Sequence, residues 1–305
     1  MLTFLARRLA YNAFVLLGVA LLVFSLVFLT GDPARAQLPI HTPPEVVEAF
    51  RRTRGLDRPI PVQFVDFVAR ALQGDFGQSL RFRQPAMPLV LERLPATLTL
   101  ASLGLLVSLA IALPLGTVAA VRRGSWVDHV ARSVALVGQA VPGFVLAPIL
   151  ILILAVSLRL LPVSGTGGAE HLLMPAVVVG VGSAAGLTRI LRSSLLEVFR
   201  QDYIRTAEAK GLAPTRVLTR HAFKNAAIPV VTFLAFDVAA IMSGVVIVEV
   251  IFAYPGMGRL AFQAIANRDL PIIQAFVFIS GLTIVTANML LDLLYTWLDP
   301  RIRVH

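Results

Sequence analysis

Long apolar runs dominate this chain, and its polar residues gather between them. A helix needs about 20 mainly apolar residues to cross a bilayer core, and six runs satisfy or approach that length. Residues 9–29 carry no charge and follow Arg7 and Arg8. Residues 94–121 are also charge-free. The third run, 133–158, is interrupted by Pro142-Gly143 and Pro148, which predicts a kinked or broken helix. The fourth, 171–188, is predicted to continue as helix past Arg189 and Arg192. The fifth, 225–252, holds Asp237 in mid-span and Glu249 near its end. The sixth, 270–291, is charge-free and leads into Asp292, Trp297 and the tail 299–303.

The first run invites comparison with a secretory signal, and Ala34-Arg35-Ala36 has the form of a small-residue cleavage site. A signal core spans about 7–15 residues, so the longer run here predicts an uncleaved first span. A polar insert comes next. Pro43-Pro44 opens an amphipathic helix reaching Arg54 and closed by Gly55. A second helix, from about Pro61 to Gln73, aligns Phe64, Phe67, Val68, Ala71 and Leu72 on one stripe and is closed by Gly74. That much apolar surface predicts a small cap that folds back on the membrane body.

The polar stretch 202–229 has the pattern of two short helices meeting at a bend. Asp202 is suited to cap the first, which runs from Tyr203 to about Lys210, and Gly211 is suited to the left-handed position that ends it. Pro214 fits the first turn of the second, which continues toward Ala226. Val217, Leu218, His221 and Ala222 share one face of that helix, beside Arg216, Arg220 and Lys224 at fourfold spacing. By composition alone such a stretch is a basic connector that fixes orientation.

Composition supports a membrane body. The 305 residues are 57% hydrophobic and 14% charged, against roughly 25% charged in soluble domains. The net charge of +10 could serve nucleic acid, but most basic residues border apolar spans, so membrane orientation and anionic headgroups account for them and no nucleic-acid partner is expected. With the N-terminus inside, the cytoplasmic pieces hold fifteen basic residues, among them Arg7, Arg122, Arg132, Arg301 and Arg303, and the two short outer loops hold Arg159, Arg259 and Arg268. The insert is too long for the positive-inside rule to count. Both termini and residues 202–229 are therefore expected in the cytoplasm, and the insert outside.

Chemistry motifs are missing from the sequence. Neither Lys210 nor Lys224 follows a glycine, so there is no phosphate-binding loop with which this chain could hydrolyse ATP. No cysteine is present and the five histidines are scattered, so no metal site is expected. Asp237 is the one charge deep in a span. A carboxylate there costs roughly 2.5–3.5 kcal/mol and should face the bundle interior or a wet cavity. Two roles stay open for it, a pathway or gate residue and a structural carboxylate bonded to a neighbouring helix. Glu249, at the outer boundary, is expected to meet the interface.

The stretch Arg205–Gly211, RTAEAKG, resembles the E-A-A-x-x-x-G sequence of permease subunits of bacterial ABC importers, with Ala207 and Gly211 matching. Arg205 and Thr206 stand where that pattern has Glu and Ala, and His221, Phe223 and Lys224 occupy the usual I-x-L-P positions. Three further stretches are similar to the dipeptide/oligopeptide/nickel branch: GDFGQS at 74–79 with ERLPAT at 92–97, YPGMG at 254–258 with RDLP at 268–271, and LDPR at 298–301. The long insert resembles that of the B-type subunit. The resemblance implies an all-α membrane protein of six transmembrane helices with the type I ABC importer permease fold, in the bacterial cytoplasmic membrane. It divides as 1–29 (tail and first helix), 30–93 (extracytoplasmic insert) and 94–305 (five-helix core with a coupling loop at 197–227). It also implies a homologous second permease subunit, two cytoplasmic ATPase subunits that hold ATP and Mg, and an extracytoplasmic peptide-binding protein. The chain itself would need no cofactor. Arg205, Ala207, Glu208, Gly211 and His221 would form the coupling loop, with Ala207 small for close approach to the ATPase. The cargo implied is di- or oligopeptide, with nickel or another small solute as the alternative. From the residues alone, a proton-coupled carrier using Asp237 and a membrane scaffold are the other classes.

Overall fold

The computed structural model describes residues 2–29, 32–36, 38, 41–53 and 55–298. The side chains of Arg7, Arg8, Asp292 and Trp297, together with Arg54 and the tail 299–303, lie outside the described residues. The described residues are helical almost throughout, and the one β feature among them is an isolated bridge between Gln78 and Pro85.

The helices are α1 (Leu2–Leu29), α2 (Pro33–Ala36), α3 (Pro44–Thr53), α4 (Ile60–Leu72), α5 (Ala86–Val121), α6 (Trp126–Ala140), α7 (Gly143–Leu150), α8 (Glu170–Val198), α9 (Asp202–Ala209), α10 (Pro214–Arg216), α11 (Phe223–Ile251), α12 (Met257–Ala266) and α13 (Leu270–Leu298). By length and composition, α5, α8, the run Pro214–Ile251 and Leu270–Leu291 can each cross a membrane. The third expected run is broken as its prolines predict. Val141 is extended ahead of Pro142, as the residue before a proline tends to be. The chain bends by 99° between α6 and Gly143–Ser157, whose second half, Ile151–Ser157, widens to a π-helix. With the apolar stretch Ala10–Ser25 of α1, all six expected runs are helical.

The chain forms two compact units. The first comprises Met1–Ala96 and Pro255–Val285. Its insert folds as expected into α3 and α4, and Gly55 and Gly74 end them at φ +67° and +76°. One detail of the α4 stripe differs. Leu72 is 79% exposed, and the buried positions are Gln63, Phe67 and Ala71. Gln63 turns inward because its Nε2 donates to the carbonyls of Leu56 and Arg58, at 3.1 and 2.7 Å. Phe24 of α1 contacts Phe64 and Phe67, with centroids 5.4 and 5.8 Å apart. Phe67 touches Phe76 and Phe76 touches Phe278 of α13. The insert is thus anchored by an aromatic ladder to two apolar helices. A polar tie adds to it: Ser79 Oγ donates to Asp269 Oδ2 at 2.5 Å, joining the GDFGQS and RDLP stretches.

The second unit comprises Thr97–Tyr254 and Thr286–His305. Its central helix is α8, with 67% of its most apolar window buried against 22% for α5 and 28% for Pro214–Ile251. Glycines permit that packing. A Cβ at Gly180 would lie 2.7 Å from the Gly104 carbonyl oxygen, and one at Gly186 would lie 2.5 Å from the Phe233 ring.

Candidate functional site

The stretch after α8 is a bend whose geometry arises from local chemistry. Asp202 does not cap α9. The N-cap is Gln201, extended and without a side-chain cap bond, which leaves Asp202 as the first helical residue. A carboxylate there still favours the positive helix end. Its 3.7 Å pair with Arg205 is exposed on both sides, a kind of contact that contributes little. At the other end, the Gly211 N–H donates to Glu208 O at 2.9 Å and the Leu212 N–H to Ala207 O at 3.3 Å. This is the Schellman arrangement, with Gly211 at φ +74° in its left-handed position. No atom lies within 4 Å of where a Gly211 Cβ would sit, so the backbone angle, not crowding, calls for glycine.

Pro214 takes the first turn of α10 as expected. The second helix of the bend, expected to be short, is instead the start of a long one. The chain runs from α10 through a π-helical turn, Val217–Ala222, into α11 and on to Ile251 without a break. Val217 and Ala222 are buried and Leu218 and His221 half-buried, as their shared face predicts.

The bend has two faces of opposite character. Ile204 and Ala207 are 1% and 6% exposed, in one apolar core with Leu187, Leu191 and Leu195 of α8 and Val217. The smallness of Ala207 therefore serves close packing within this chain, because its methyl points inward. Asn225 Nδ2 donates to the Tyr203 hydroxyl at 2.7 Å and to His221 O at 3.2 Å, tying α9 to α11. The outward face carries Arg205, Glu208, Lys210, Arg216, Arg220 and Lys224, all exposed.

Asp237 is 9% exposed, and the hydroxyl of Ser183 on α8 donates to its Oδ2. It also lines a cleft of about 200 Å³ with Gly143, Gly182, Ala240 and Gly244. The carboxylate therefore combines a bond to a neighbouring helix with a position on open space.

Two other carboxylates carry more structure than the sequence indicated. Glu249 is fully buried, not at an interface, and accepts a 2.5 Å bond from Thr97 Oγ1. Asp128 is 1% exposed and was not singled out by sequence reasoning. Both its oxygens accept from Arg192 at 2.8 Å, Arg132 lies 3.2 Å from Oδ1, and the Gly124 N–H donates to Oδ2 at 3.0 Å. Arg132 sits four residues on, the one local signal of the cluster. Arg192 is 64 residues away, and nothing in the sequence pairs it with Asp128.

Residues 112–304 match the family model for the inner membrane component of binding-protein-dependent transport systems, and residues 1–101 match its N-terminal companion. The chain belongs to this family. Its helices and bend are those of a membrane component of an ABC importer, the type I permease fold. The chain is 39% identical to a probable peptide ABC transporter permease protein of Sinorhizobium fredii, over 98% of this chain and 99% of that one. It is 37% identical to a di/tripeptide transport system permease protein of Pseudomonas aeruginosa and 36% identical to a glutathione transport system permease protein of Salmonella choleraesuis, each over 99% of both chains. In fold it is similar to the inward-facing MetNI methionine ABC transporter, with a TM-score of 0.58 over 70% of this chain and 97% of that one at 17% identity. An amino acid ABC transporter gives a TM-score of 0.53 over 68% of this chain and 93% of that one at 18% identity. As a permease of this family, the chain is a multi-pass membrane component whose bend corresponds to the segment with the E-A-A-like pattern.

Proposed function

We propose that this permease is a subunit of an ATP-driven importer of di- or oligopeptides. In this reading it pairs with a homologous second permease, and the outward face of the bend docks on one of two cytoplasmic ATPases that bind ATP and Mg. An extracytoplasmic binding protein delivers the cargo. The N-terminus and bend lie in the cytoplasm and the insert outside, in line with the distribution of basic residues. Peptide is favoured over nickel because full-length relatives at 36–39% identity carry peptide, di/tripeptide or glutathione transport names.

The observation that carries the coupling role is the unbroken path from the Schellman turn at Gly211 through α10 into α11. A rigid bend with a charged outward face and an apolar inward face can pass rigid-body motion of a docked motor to the spans. Arg205, Glu208 and Lys210 offer the charge, Ala207 and His221 seat the bend, and Gly211 sets its angle. The test is Gly211→Pro in the reconstituted complex, since proline fixes φ near −65° where φ is +74°. Uptake and transport-coupled ATP hydrolysis should fall to background while membrane insertion persists. Retention of coupled uptake would sink the docking assignment.

A second reading attaches to Asp237, whose place on a cleft favours a pathway or gate role. Asp237→Asn keeps the shape and removes the charge. A changed cargo preference or uptake rate at unchanged expression supports the role, and wild-type uptake refutes it.

A further inference from the structure

The first unit holds an open cavity of about 320 Å³ between the insert and the helices that hold it. Its apolar lining includes Phe24, Phe67 and Phe76, each 7–8% exposed, and Pro271. Four charged residues line the same cavity: Asp66, which is half-buried, and Arg70, Asp75 and Arg83, which are exposed to solvent.

These charges are not spent on one another. The Arg58–Asp66 pair, at 3.1 Å, occupies the neighbouring carboxylate. Arg70 donates through Nε only to the Asp66 backbone carbonyl, at 3.4 Å, and Asp75 Oδ1 accepts the Gly77 N–H at 2.9 Å. Among the described residues none of the three exposed ones forms an ion pair. Their positions are fixed by backbone: the Asp75 N–H donates to Arg70 O at 2.9 Å, and the Arg83 N–H donates to Ser79 O at 3.0 Å. Ser79 is in turn bonded to the buried Asp269. Gln63, also in the lining, is 8% exposed and its Oε1 has no partner among the described residues.

We propose that this cavity binds a small zwitterion with an apolar side chain, of amino-acid to dipeptide size. The aromatic wall takes the side chain, Arg70 and Arg83 take the carboxylate, and Asp75 takes the ammonium group. Pockets that bury small ligands start at about 300 Å³ and combine apolar walls with a few placed polar groups. A divalent cation would need several carboxylates, and among the described residues Asp75 is the only one in the lining left without a basic partner. A purely anionic ligand would leave Asp75 opposed. The choice of dipeptide as probe rests on the importer reading above, and the site adds to that reading a peptide-sensing position on the permease itself.

The experiment uses the assembled complex in nanodiscs without the binding protein, titrated with leucyl-phenylalanine, its N-acetyl form and its C-terminal amide. Saturable binding of the free dipeptide is expected. The amide should bind about tenfold more weakly, and Arg83→Gln or Arg70→Gln should weaken the free dipeptide by a similar factor, the usual scale for losing one charge-assisted hydrogen bond. Asp75→Asn should weaken the free dipeptide and leave the N-acetyl form unchanged. Absence of saturable binding, or equal affinity in all three variants, overturns the proposal. Uptake is measured separately with the binding protein and ATP added. Uptake without this binding overturns the site alone, and binding without uptake overturns the importer reading alone.

Discussion

The insert and the bend are both polar, helix-rich segments between apolar helices, yet they are held in different ways. The bend is held by backbone continuity and by two small inward side chains, Ala207 and Ala222, at 6% and 0% exposure. The insert is held by long-range side-chain contacts: the ladder from Phe64 through Phe24, Phe67 and Phe76 to Phe278, and the Ser79–Asp269 bond. The first design resists bending between segments, so displacement at one end is felt at the other. The second fixes a position and leaves the charged rim of the cavity free to meet ligand. Two polar connectors of similar composition thus suit opposite tasks, transmission and holding.

Four substitutions test this difference. Phe67→Ala removes the ring between Phe24 and Phe76 and should cost about 3–5 kcal/mol. Hydrogen exchange should show α4 opening while α9 keeps its protection, and equal loosening of both would erase the distinction. Ala207→Leu overfills the core beneath α9, at about 1–3 kcal/mol. Uptake should be lost with expression retained, and preserved coupling would show that the seat of α9 is irrelevant. Asp269→Asn weakens the bond that holds Ser79, by about 1–2 kcal/mol. Proteolysis in the 78–85 turn should accelerate with little change in ATP turnover; an unchanged cleavage rate would count against the polar tie. Asp202→Ala should cost no more than the roughly 0.3–1 kcal/mol of a carboxylate at the positive helix end, since an exposed pair of this kind contributes little. A larger drop in thermal stability would restore the capping role.

Local signals in the sequence were sufficient for much of this structure. Gly211, Pro214, Gly55 and Gly74 act within one turn of themselves, and Pro142-Gly143 breaks its run whatever packs nearby. Where partners are remote, the sequence was silent. Nothing local pairs Arg192 with Asp128, Thr97 with Glu249 or Ser79 with Asp269. Periodicity placed Leu72 inside because it assumes that polar residues face water, whereas Gln63 turns inward to satisfy two carbonyls of the preceding loop. Asp202 missed the cap by one residue because Gln201 ends the extended segment. The E-A-A-like pattern pointed to Ala207, but the direction of its methyl depends on which face α8 covers.

The unbroken helix Pro214–Ile251 has a mechanical consequence. Its 38 residues make a shaft about 57 Å long at 1.5 Å per residue, with the bend at one end. A tilt of about 5° at that end displaces the other by about 5 Å on the same geometry. Pro229, which lacks an N–H to donate, and the π-helical turn at Val217–Ala222 are two places where the shaft can flex, so their stiffness bears on how much of a push arrives as a stroke.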